Sequence, residues 1–244
     1  MGRTCGMIFR ALLASMCLVS TLFGQTAQYP SESASGLVEQ FENPTLFWKQ
    51  LEVAKKIVAL HDKSVLHTLE PWLSNEDMHR RGNAAFIFAS LGDDRGFQVI
   101  KSILEDRSTE RVVVKHDSTG TPSPWLQIRE DRYYAVHLFG DLRDPRAVPI
   151  LVPLLKDQDV NWIVPWSLGE IDDKSAIPPL IETLSDDSSD MRVLAIYALQ
   201  KLKARQALPQ LRALLDDDEK IHFSGLGTVA EAARAAIAAL SDIP

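Results

Sequence analysis

Cysteine is almost missing from this 244-residue chain. The two present, Cys5 and Cys17, both fall in its first tenth. Positive charge is also short, with 26 Lys and Arg against 33 Asp and Glu, for a formal charge of −7. That sign repels phosphate backbones, and no basic run offsets it, so nucleic acid is excluded as a natural partner. No apolar run reaches 18 residues, which excludes a membrane-spanning helix. Catalytic and metal signatures are missing too: there is no HExxH, GxSxG, Walker-type loop or EF-hand spacing. Nothing implies a metal or a cofactor. The histidines at 61, 67, 79, 116, 137 and 222 are scattered singly rather than grouped at ligand spacing.

What is there begins with a leader. MGRTCGMIFR carries Arg3 and Arg10 and no acid, ALLASMCLVSTLF follows as a short apolar run, and GQTA offers small residues for cleavage after Ala27 or Gly24. This is the order of a secretory signal peptide over 1–27, and it implies an exported, periplasmic or extracellular protein. Cleavage would remove both cysteines, leaving no thiol nucleophile and no disulfide. It would also take Arg3 and Arg10 without an acid, moving the charge from −7 to about −9. Residues 28–43 read as a flexible spacer. Asn43-Pro44 reads as the cap and first residue of an opening helix, so the domain runs from 44 to 244.

That domain repeats itself. SVLHTLEPWL (64–73), RAVPILVPLL (146–155), SAIPPLIETL (175–184) and QALPQLRALL (206–215) are copies of one segment, and GFQVIKSIL (96–104) is a looser one. With Val65, Gly96, Ala147, Ala176 and Ala207 in register, the steps are 31, 51, 29 and 31 residues. An acidic turn and a second amphipathic stretch follow each copy. The endings are similar, and Gly92, Gly140 and Gly169 fall where a glycine stops a helix. A helix pair of this size cannot bury its apolar stripe alone, so neighbours must stack. The predicted fold is all-α: a right-handed α-solenoid of about five helix pairs preceded by one N-terminal helix.

Three features carry a resemblance: proline early in the first helices (Pro149, Pro178, Pro209), Asp190-x-Arg192 opening a second helix, and the Leu-Gly-(Asp/Glu) ending. The chain resembles HEAT-type repeats, including the HEAT-like repeats of phycobilisome lyases, over about residues 45–240. The resemblance implies a solenoid. For function it implies a binding scaffold, or less often a lyase or its chaperone. This chain departs from the pattern at Asn161, where Arg132 and Arg192 predict an arginine, and at Pro165 inside a second helix. The leader argues against a role on a cytoplasmic light-harvesting complex.

The 51-residue step contains an insert of about 107–130. Val112–Val114 and Trp125–Ile128 flank a Ser-Thr-Gly-Thr turn and predict a small β-hairpin in repeat two. His116-Asp117-Ser118 has triad residue types, but consecutive residues of an extended segment point in alternate directions and cannot relay a proton. The acidic turns (Asp77, Asp157, Asp159, Asp186, Asp190 and Asp216 to Glu219) read as helix caps and solvated loops rather than as a cation rim. Arg132 and Arg192 read chiefly as partners for carboxylates or helix ends of the next unit.

The second helices carry the strongest surface signal. Positions seven and three before each terminal glycine, or before Gln200, face away from the apolar stripe. They hold Tyr133 and His137, Trp162 and Trp166, then Val193 and Tyr197. In a HEAT-like solenoid these helices line the concave side, so the stripe is either a contact surface or is covered by curvature or by the insert. The expected partner-binding set is Trp125, Tyr133, His137, Trp162, Trp166 and Tyr197, with Arg132 and Asn161 as polar contacts at the edge. The function expected is an exported, non-catalytic scaffold for a protein or peptide partner. The alternative is a lyase- or hydrolase-type enzyme using His137, Tyr133 or Asp117 beneath the insert.

Overall fold

The computed structural model describes residues 33–43, 46–109, 123–223 and 227–241. The leader, the triplet 112–114, the predicted hairpin turn and His116–Ser118 lie outside the described residues.

Helices account for the architecture, and among the described residues there is no strand, only an isolated bridge between Lys220 and Thr228. The first pair is α1 (Ala34–Glu42) and α2 (Phe47–Ala59). Residues 34–42, expected to be spacer, are helical because Ser33 caps Gly36 N–H at 3.1 Å and Leu37, Val38 and Phe41 fall on one buried face. Asn43 ends α1 instead of capping its successor; its Nδ2 donates to the Glu39 carbonyl at 3.0 Å.

Five more pairs follow. They are α3 (Val65–Leu69) with α4 (Met78–Ser90), α5 (Asp94–Glu105) with α6 (Pro124–Leu142), and α7 (Val148–Leu151) with α8 (Val164–Ile171). Then come α9 (Ile177–Thr183) with α10 (Ser189–Lys201) and α11 (Leu208–Ala213) with α12 (Val229–Ser241). Two helices, not one, therefore precede the five predicted pairs. In three of them a 3-10 turn opens the first helix and a proline (149, 178 or 209) sits early in the α segment, where its missing N–H has no intrahelical partner to lose. Second helices pack in succession, α2 on α4, then α6, α8, α10 and α12, as an α-solenoid requires.

The hairpin is a correction. Trp125–Ile128, read as its second strand, forms the first turns of the 19-residue α6. Ser123 caps Leu126 N–H at 3.3 Å, Pro124 occupies the first helical position, and Gln127 bonds Asp131 one turn on at 2.8 Å. A Ser-Pro start outweighs the β-propensity of four residues.

The glycines correct a second expectation. Gly92 does end α4 in the left-handed region, at φ +83°. Gly140 and Gly169 lie inside their helices, and the left-handed caps three residues later are Arg143 and Asp172. A Cβ at Gly140 would stand 2.8 Å from Trp166 Cζ3 and 3.0 Å from Ser167 Cα; at Gly169 it would meet Ala198 Cα at 3.3 Å. These glycines are close-approach points between successive second helices, and Gly140 is what seats Trp166.

Candidate functional site

Three second helices, α8 together with the 3-10 turn Asn161–Ile163 that leads into it, each offer residues at a spacing of four, so their side chains form rows across the layer of helices. The first row is Tyr133, Trp162 and Val193. The second is His137, Trp166 and Tyr197. Asp141, Glu170 and Lys201, one turn further along at the same spacing, make a third.

Within the rows the aromatics stack on one another. Tyr133 lies on Trp162 with centroids 4.3 Å apart and planes at 18°; His137 lies on Trp166 at 4.6 Å and 22°. Tyr133, Trp162 and Trp166 are half-buried, His137 and Val193 are buried, and Tyr197 stays 45% exposed. Trp125 is 70% exposed and outside the stacked set, so it neither lids nor plugs the surface.

The third row is ionic. Glu170 Oε1 takes Lys201 and its Oε2 takes Arg143 Nη2 at 3.1 Å. Asp141 pairs with Lys55 of α2 at 2.7 Å and faces His137 Nε2 at 3.5 Å. His137 Nδ1 is buried without a hydrogen-bond partner. Burial holds this imidazole below its ordinary pKa of 6.5, Asp141 opposes that shift and Lys55 reinforces it. His137 is thus a mostly neutral base at pH 7, in an aromatic wall beside a carboxylate.

Side chains of α2 reach α6 across α4 and close the surface at its N-terminal end. The Lys55–Asp141 pair does this on one side. On the other, Phe47 meets Tyr134 at 5.1 Å and stacks obliquely on His79 at 4.3 Å. Ala85 and Ala89 hold the stripe positions of α4, and these small side chains leave room for the crossing. Beneath lies a buried polar seam. Tyr134 donates to Asn83 Oδ1, Asn83 donates to Gln50 Oε1 at 3.0 Å, and His79 Nδ1 lies 3.3 Å from Asp131.

Arg132 is not an edge contact. It is 1% exposed, bonds the Leu104 carbonyl at 3.2 Å and pairs with Asp157 and Asp159 of the next repeat. Arg192 repeats the device with Asp217 at 2.9 Å and Glu219 at 2.9 Å. Asn161 is half-buried at the same edge. Of the acidic turns, Asp77 caps α4, whereas Ser188 rather than Asp190 caps α10. Asp190 instead accepts His222 N–H at 2.7 Å. Among the described residues no group of three or more acids, histidines or cysteines is arranged to hold a metal, and no helix is long and apolar enough to cross a membrane.

Stacked helix pairs whose second helices pack in succession define an α-helical repeat protein. Residues 131–157 match the PBS lyase HEAT-like repeat and residues 158–222 match HEAT repeats. The chain therefore carries HEAT and HEAT-like repeats. Two curated relatives are similar to it. The phycocyanobilin lyase subunit alpha of a Picosynechococcus species is 37% identical over 104 residues, covering 37% of this chain and 39% of that protein. The bilin biosynthesis protein PecE of a Nostoc species is 31% identical over 146 residues, covering 59% and 53%. The chain thus spans about half the length, or less, of these relatives. An engineered protein of known crystal structure aligns over 85% of this chain and 96% of its own at 16% identity and a TM-score of 0.45. These relatives overturn the expectation of a non-catalytic scaffold: one is named a lyase subunit and the other a bilin biosynthesis protein. The enzyme alternative is the better supported.

Proposed function

We propose that this chain is a lyase-type protein that handles a bilin, an open-chain tetrapyrrole, on the three-row surface of a right-handed solenoid. The observation that carries the reading is the stacking of Tyr133 on Trp162 and of His137 on Trp166, with a charged row one turn away. Flat conjugated rings suit an aromatic wall, ring N–H groups suit Asp141 and Glu170, and acidic side arms suit Lys201 and Lys55.

His137 is the acid–base candidate. A bilin carries C=C bonds to which a thiol can add. In that addition neutral His137 takes the thiol proton, sulfur bonds one alkene carbon, and the proton returns to the neighbouring carbon. Residues 28–244 contain no cysteine, so the thiol would come from a protein partner. The leader read over 1–27 would place that partner outside the cytoplasm.

Titration with phycocyanobilin, followed by tryptophan quenching and by bilin absorbance, tests the reading. Trp162→Ala with Trp166→Ala should weaken binding at least tenfold. His137→Gln should bind within about threefold of the parent but slow transfer to a thiol peptide by roughly 10²-fold. Undiminished binding by the folded double variant would remove the site.

A further inference from the structure

Asn161 interrupts a ladder. In the repeats on either side, the arginine opening or lining the second helix reaches forward to the aspartate just after the next first helix: Arg132 to Asp157, Arg192 to Asp217. Those aspartates share one geometry. Asp157 Oδ1 accepts the N–H of Asp159 at 3.1 Å, and Asp217 Oδ1 accepts that of Glu219 at 3.2 Å, so each carboxylate is held still while it takes a guanidinium. The middle repeat keeps the acceptor and loses the donor. Asp186 Oδ1 accepts Ser188 N–H at 2.9 Å, in the same turn, but the position that should supply its arginine is Asn161. Among the described residues no cation pairs with the Asp186 carboxylate; Arg192 Nη1 donates to the backbone carbonyls of Asp186 and Asp187, at 2.7 and 3.1 Å. At this place the surface opens into a depression of about 530 Å³, lined by Leu155, Lys156, Gln158, Asn161, Asp186, Asp187 and Ser188.

We infer that this gap is a docking position for an arginine side chain supplied by a partner protein. The same turn carboxylate binds a guanidinium in two neighbouring repeats, and an open depression lies where the third guanidinium is missing. The planar fork of arginine matches a fixed carboxylate with the amide of Asn161 and the carbonyl edge beside it; an ammonium offers only a point charge. Lys156, exposed, is the one cationic side chain among the residues that line the depression. The site lies on the solenoid edge and is independent of the bilin reading.

The test uses the whole protein and N-acetyl-arginine amide as probe, followed by amide chemical shifts. Asp186 and Ser188 should shift saturably, at least threefold more tightly than with N-acetyl-lysine amide. Asp186→Asn should weaken binding at least tenfold. Asn161→Arg should abolish the response and raise Tm by several degrees, because the chain then fills its own gap. Shifts that do not saturate or that persist in Asp186→Asn, or a lower Tm for Asn161→Arg, would overturn the inference. So would binding that appears only after Lys156→Ala, since this chain's own lysine would then hold the carboxylate.

Discussion

His137 shows how one residue's environment sets its chemistry. Its folded pKa lies below 6.5, so the unfolded state binds the proton more readily as pH falls through 6.5. Stability contributed by keeping the ring neutral is present above 6.5 and is lost as pH falls below it. Replacement by glutamine should therefore flatten the acid limb of a Tm-against-pH profile below that point. Asp141→Asn removes the group that opposes the depression, and an NMR titration should find the His137 midpoint lower still. A midpoint at or above 6.5 in the parent would contradict both statements. Arg132 is the stability counterpart. Being 1% exposed and bonded to a carbonyl and two carboxylates, it should cost about 3 kcal/mol when changed to Ala, measured by urea unfolding. Arg132 was readable as an inter-repeat partner from its recurrence at 192. Its burial was not, because a long polar side chain looks exposed until its partners are placed.

At the scale of elements, packing between second helices turns on glycines that look like helix stops. Gly140→Ala forces a Cβ to within 2.8 Å of Trp166 and 3.0 Å of the Ser167 backbone, whereas Gly169→Ala meets Ala198 at 3.3 Å. The first should cost about 2 kcal/mol and perturb tryptophan fluorescence; the second should cost under about 1 kcal/mol. Equal costs would mean that the spacing of α6 and α8 is soft. Loss of the α4 cap by Asp77→Ala should cost about 1 kcal/mol in the same assay. Helix periodicity and the early prolines were legible along the chain, the caps only in part: Asp77 caps α4, but Asn43 and Asp190 do not cap the helices that follow them. The insert is harder to read because its β-branched and aromatic residues favour a strand, whereas Ser123-Pro124 starts α6.

Across the whole molecule, each repeat is stable only against its neighbours, so the ends matter. Removing α1 would strip cover from a core that includes Leu37 and Phe41, 1% and 0% exposed. Hydrogen exchange in that truncation should rise first in α2 and α3 and least in α10. Uniform loss along the chain would show one cooperative unit instead. The repeat period and its helix pairs follow from sequence alone, since apolar spacing and turn residues are local properties. So does the aromatic stripe, as a list of residues on one face. Whether those rings stack and where α2 crosses to α6 depend on how far each pair rotates on the last. That rotation is a sum of side-chain contacts between residues tens of positions apart, and only the tertiary structure contains it.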